Sequence, residues 1–229
     1  MLQVNEIARV RAVAGEFAGT AFLLAAVVGS GIMGERLAGG NVAIALLANA
    51  LATGAALVAL IVTFGPVSGA HFNPVVTFVF SRGAHRGSTM AAFVAAQLAG
   101  AVVGVLLAHA MFDAPLVAWS QHVRSGPSQV LSEAVATFGL VGVIASSSRR
   151  TPVAVPFAVA AYIVAAYWFT ASTSFANPAV TVARAMTDTF AGIRPADVPW
   201  FLAGQAVGAA SAAAFFEWLV PAQADGRIG

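Results

Sequence analysis

Six apolar stretches, at about 11–34, 41–63, 89–111, 128–147, 153–172 and 198–220, are each long enough to cross a bilayer as a helix, since a hydrocarbon core of about 30 Å takes about 20 helical residues. Two further stretches, 64–82 and 173–187, are apolar but broken, each with Asn-Pro near its middle. Asparagine is a favoured N-cap, and proline is welcome at the first helical position, where its missing N–H costs nothing. Asn73-Pro74 and Asn177-Pro178 therefore each predict a short half-helix inside a re-entrant segment.

The two halves repeat one another. EFAGT from Glu16 pairs with EAVAT from Glu133, HFNPVVT at 71–77 with FANPAVT at 175–181, and QLAGA at 97–101 with QAVGA at 205–209. Each half holds three crossings, an odd number, so the second enters from the opposite side and the repeats, about 11–111 and 128–220, are inverted. The expected fold is one all-α membrane domain over 1–229, with six transmembrane helices and two re-entrant half-helices.

Composition removes other classes. The hydrophobic set makes up 59% of the 229 residues and charged side chains only 9%, against about 25% in soluble domains, so the protein's partners include membrane lipids. All 11 basic residues are arginine, without a long basic run, which excludes a nucleic-acid surface. Absence of cysteine excludes disulfides and thiolate chemistry. The first apolar segment carries Glu16 and lacks a cleavage-site pattern, so it is expected to be retained as a helix. With both termini cytoplasmic, Arg9, Arg11, Arg82, Arg86, Arg149, Arg150 and Arg227 lie inside, and Arg36, Arg124, Arg184 and Arg194 outside, the arrangement the positive-inside rule prefers. An inner (plasma) membrane location is expected. Trp119, Trp168, Trp200 and Trp218 read as interfacial anchors.

Two half-helices entering from opposite faces meet N-terminus to N-terminus. Each end carries about half a positive elementary charge and free N–H donors, so the meeting point repels cations and orients a neutral dipole. The expected pore constriction comprises Asn73, Pro74, Val75, Asn177, Pro178 and Ala179. The extended backbone before each half-helix, Gly69, Ala70 and His71 in one and Thr173, Ser174 and Phe175 in the other, can offer carbonyl acceptors to a solute.

SGAHFNPVVT at 68–77 and NPAVT at 177–181 resemble the paired signatures of the aquaporin, or major intrinsic protein, family, and the resemblance covers essentially the whole chain. It implies a right-handed six-helix bundle assembled as a homotetramer with one pore per protomer. It also implies that Glu16 and Glu133 brace the re-entrant loops rather than relay protons. Family spacing gives a selectivity filter of Thr53, Ala165, Ser174 and Val180. Val75 replaces the usual alanine of the first signature, and Val180 replaces the usual filter arginine, about 4.5 Å beyond Asn177 along the helix axis. Such a ring is small-walled and uncharged. Arg184, one turn later, is expected near the outer mouth, solvated or paired with Asp188; the alternative is that it supplies the missing charge.

The reading is of a passive channel, not an enzyme, for small uncharged solutes: water, glycerol-like polyols, and neutral metalloid or methylated arsenical species. The cargo expectation follows from resemblance to the bacterial branch associated with arsenic resistance, which lacks the filter arginine. A gradient-coupled transporter also uses inverted repeats and broken helices. An intramembrane serine hydrolase on Ser68 and His71 lacks any sign of an oxyanion hole. His85, His109 and His122 lack metal-ligand spacing and are expected on the solvated surface, so no metal and no cofactor is assigned.

Overall fold

The computed structural model describes residues 2–81 and 86–220, with side chains from 6 to 81 and from 87 to 220. Within these, eight α-helices follow in order: α1 (Leu2–Leu37), α2 (Val42–Ser68), α3 (Pro74–Phe80), α4 (Arg86–Met111), α5 (Pro127–Arg150), α6 (Val155–Phe169), α7 (Pro178–Arg184) and α8 (Val198–Leu219). Six of them are long and apolar enough to cross a membrane, α6 only together with the 3-10 turn Pro152–Ala154 that leads into it, while α3 and α7 span seven residues each. The side chains of Arg82, His85, Arg86 and Arg227 lie outside the described residues.

The expected start of the first re-entrant segment at 64 is corrected, because α2 continues through Pro66 to Ser68. Pro66 cannot donate and its ring presses on the carbonyl four residues earlier, yet the stop comes only at Gly69, whose φ of 88° forms a left-handed cap.

The helices pack as two similar triplets. α1 lies against α2 and α4, α5 against α6 and α8, and the triplets meet along α2 and α6. Glycines permit the closest crossings: a Cβ on Gly100 or Gly104 of α4 would collide with the Phe17 or Ala21 carbonyl of α1, and one on Gly204 or Gly208 of α8 with the Val130 or Ala134 carbonyl of α5. Backbones that approach this closely gain dispersion contact where lipid supplies no hydrophobic drive. The half-helices fill the space left inside, α3 against α4 and α8, α7 against α4 and α8, and their tips touch.

Around the axis, four helices turn toward a common cavity the residues Leu23 and Val27, Thr53, Leu57 and Ile61, Leu140, Ile144 and Ser148, and Val155, Val159, Ile163 and Tyr167. Every step within a helix is four residues. Rows of i±4 are inclined to the helix axis by about 26°, so a straight lumen along such rows belongs to tilted helices.

Candidate functional site

Asn73 and Asn177 cap α3 and α7 through their Oδ1 atoms, which accept from Val75 N at 3.0 Å and from Ala179 N at 3.0 Å. Each Nδ2 donates across the junction to the opposite loop, Asn73 to the Ala176 carbonyl at 2.8 Å and Asn177 to the Phe72 carbonyl at 2.7 Å. These bonds fix both amide orientations. An amide nitrogen has two hydrogens, so one N–H on each asparagine is left for a solute in the cavity that both residues line.

The loops leading in are matched residue for residue. Ala70 and Phe72 in the first, and Ser174 and Ala176 in the second, all have φ between 46° and 51°. Non-glycine residues in this left-handed region cost about 1–3 kcal/mol each, and buried carboxylates offset the cost. Glu16 accepts from His71 N at 3.0 Å, Phe72 N at 2.7 Å, Ser68 Oγ at 2.6 Å and Gln97 Nε2 at 2.7 Å. Glu133 accepts from Phe175 N and Ala176 N, both at 2.9 Å, and from Gln205 Nε2 at 2.6 Å. With the N–H groups turned back to the glutamates, the carbonyls of Gly69, Ala70, His71, Ser174 and Phe175 accept no hydrogen bond from the described residues, and all five residues line the cavity.

Gln97 and Gln205 stand out in the sequence only as repeated letters. Their amides complete each brace by also donating to Thr77 and Thr181 of the half-helices, at 2.8 Å in both halves.

Several expected site residues stand elsewhere. Pro74, Val75, Pro178 and Ala179 are not on the cavity wall. Val75 packs toward Val141, Ala209 and Ala212, and the side chains beside the two asparagines are Val76 and Val180, matched in the two halves. Thr173 also lies behind the wall, its Oγ1 3.5 Å from an Arg124 guanidinium nitrogen. Ala165 is exposed on the outer face of α6. It sits two residues, about 200°, from Ile163, whereas Tyr167 is four residues on and reaches the lumen, its hydroxyl 3.3 Å from Thr53 Oγ1.

Arg184 is the largest correction. It is 2% exposed, lines the cavity, donates through Nε to the Ala191 carbonyl, and places its guanidinium carbon 3.4 Å from the centre of the Phe175 ring. It is neither solvated nor paired with Asp188, which accepts from Gln121 N at 2.8 Å instead. A helical side chain leans toward the N-terminus of its helix, so the guanidinium returns to the level of the loop before α7. Arg124 stands over the same ring at 5.1 Å, held by the Gly192 carbonyl at 2.8 Å. Burial pushes the Arg124 guanidinium down to about 10, with Glu133 and Tyr167 opposing, so it is protonated at neutral pH. The ring of Thr53, Tyr167, Ser174 and Val180 is therefore bordered by charge.

His109 is buried rather than solvated, its Nε2 2.7 Å from Thr187 Oγ1 and its Nδ1 3.0 Å from the Leu116 carbonyl, while His122 is exposed. His109 thus ties α4 to the loop after α7. Ser68 donates to Glu16, and the His71 ring engages Thr77 Oγ1 at 3.1 Å, so no nucleophile–base pair joins them.

The lumen has a volume of about 540 Å³. Its wall is mostly aliphatic, with polar groups concentrated at the Asn-Pro junction and beside Tyr167 and Arg184. Such a passage replaces part of a solute's hydration by fixed donors and acceptors without offering a reactive group.

Comparison with known proteins accords with this geometry. A family described as major intrinsic protein matches residues 3–153. The chain is 52% identical over 218 residues to aquaglyceroporin AqpS of Rhizobium meliloti (strain 1021), covering 95% of this chain and 93% of that one. It is 40% identical over 102 residues to lens fiber major intrinsic protein of Rattus norvegicus, covering 44% and 37%. With human aquaporin-2 it shares 38% identity over 117 residues, covering 51% and 41%.

Proposed function

Since the chain belongs to the major intrinsic protein family and is a membrane channel for water or small solutes rather than an enzyme, we propose that it conducts small uncharged oxygen-bearing solutes alongside water: glycerol-like polyols and neutral metalloid or methylated arsenical hydroxides. The observation that carries this reading is the junction of Asn73 and Asn177, where two fixed amide donors and two helix N-termini face one apolar-walled lumen. A hydroxylated solute can exchange water for these donors, while a cation meets positive dipole ends with no carboxylate among the described residues of the cavity wall. The name of the rhizobial relative, an aquaglyceroporin, supports the polyol assignment.

Both termini are cytoplasmic in this proposal. Arg36, Arg124, Arg184 and Arg194 then belong to the outer end, where strands of backbone at 112–126 and 185–197 are tied by bonds such as Ser120 N to the Ala185 carbonyl at 3.0 Å. The protein works as a homotetramer with one pore in each protomer, its exposed apolar helix faces meeting lipid and neighbouring subunits.

Stopped-flow light scattering on proteoliposomes tests the cargo. Glycerol and neutral trivalent arsenical hydroxide should enter faster than in protein-free vesicles; water flux with no added flux of either larger solute would reject the proposal.

A further inference from the structure

Two guanidiniums stand over one ring, that of Phe175, and neither pairs with a carboxylate; the only ion pair among the described residues is Arg194 with Asp197. The surrounding acids are already engaged. Asp188 accepts from Gln121 N and Asp197 from Arg124 N and Arg194. Glu133, the carboxylate in electrostatic reach of both guanidiniums, is taken by its loop N–H groups and Gln205. Glu133 thus sets one negative charge against two guanidiniums.

The two arginines differ in what they have left to donate. Arg124 spreads its nitrogens over the carbonyls of Gly192, Ser172 and Phe190. Arg184 uses Nε on Ala191, and its terminal nitrogens enter no hydrogen bond with the described residues. On the same cavity wall, Ser174 is 2% exposed and its hydroxyl has no partner among the described residues.

We propose that Arg184 and Ser174 form a docking site for small monoanionic oxyacids at the arginine-rich end of the lumen, with Arg124 reinforcing the charge from behind. The fork of terminal N–H groups matches two oxygens of one oxyanion, and the unpartnered serine hydroxyl of the same wall supplies a donor for a third. An anion held there occludes the passage of neutral solutes. The inference rests on the channel reading.

The test is glycerol flux in proteoliposomes with potassium methanesulfonate or potassium chloride at equal ionic strength on both faces. Methanesulfonate stays ionised and carries the required oxygens, whereas chloride has the charge without them. The wild type should be slowed by methanesulfonate and not by chloride. Arg184→Lys, which keeps charge but loses the fork, should bind methanesulfonate about tenfold more weakly, as expected for loss of a charge-assisted hydrogen bond. Ser174→Ala should weaken it also, and Arg184→Leu should make flux insensitive to the choice of salt. Equal glycerol flux of the wild type in both salts overturns the docking site, as does a methanesulfonate effect unchanged in both Arg184→Lys and Ser174→Ala. Absence of wild-type glycerol flux in either salt would instead reject the channel's polyol reading.

Discussion

Val180 and Arg184 stand one turn apart on α7 and both line the lumen. Spacing along the sequence locates their Cα atoms, but a long side chain places its charge about one turn from its own Cα. For that reason the absence of arginine at 180 does not make this end of the passage uncharged. The α6 contribution was legible in another way: Val155, Val159, Ile163 and Tyr167 recur every four residues and all face the cavity, while counting back from Asn177 crosses a loop and arrives at the exposed Ala165. The aromatic residue narrows the ring beside Thr53. Tyr167→Ala should therefore raise the ratio of glycerol to water permeability several-fold, whereas Ala165→Leu should leave that ratio within about twofold, as for other outward-facing substitutions. Stopped-flow measurement of both solutes on the same vesicles checks the pair; an effect at 165 matching that at 167 would contradict this placement.

The half-helices depend on elements that do not touch the solute. A strained loop whose backbone turns its N–H groups away from the lumen needs a buried acceptor, and α1 and α5 each supply one glutamate. The sequence shows the glutamates, asparagines and glutamines as repeats, but a repeat does not say which atoms meet. The Gln-to-Thr bonds, and His109 reaching Thr187 over 78 positions, arise only when distant helices close on one another. Glu133→Ala would strand several donors, each at about 1–3 kcal/mol, and should lower the thermal midpoint of the detergent-solubilised protein and abolish flux together. Glu133→Gln keeps one carbonyl acceptor and should lose less on both measures. A Glu133→Ala protein with wild-type midpoint and flux would show that the loop holds its shape without the brace.

At the scale of the molecule, an inverted repeat builds two similar halves from one plan, and the two ends of the lumen differ where paired positions hold different side chains. His71 corresponds to Phe175 and Phe80 to Arg184, so one end of the lumen carries an imidazole and a phenyl ring and the other a phenyl ring beneath two guanidiniums. The helices, their inversion and the paired asparagines are visible in the chain because membrane spans and caps are local patterns. The asymmetry of the ends is less so, since it depends on which side chains the tilted rows turn inward.

A fixed lumen open to small solutes requires no conformational cycle, whereas a gradient-coupled transporter alternates between two states around its binding site. Glycerol entry into proteoliposomes, followed over a wide range of glycerol concentration with and without imposed proton and sodium gradients, separates the two most directly. The channel account predicts flux proportional to the glycerol gradient and unchanged by either ion gradient; glycerol accumulation against its own gradient, driven by protons or sodium, would contradict it.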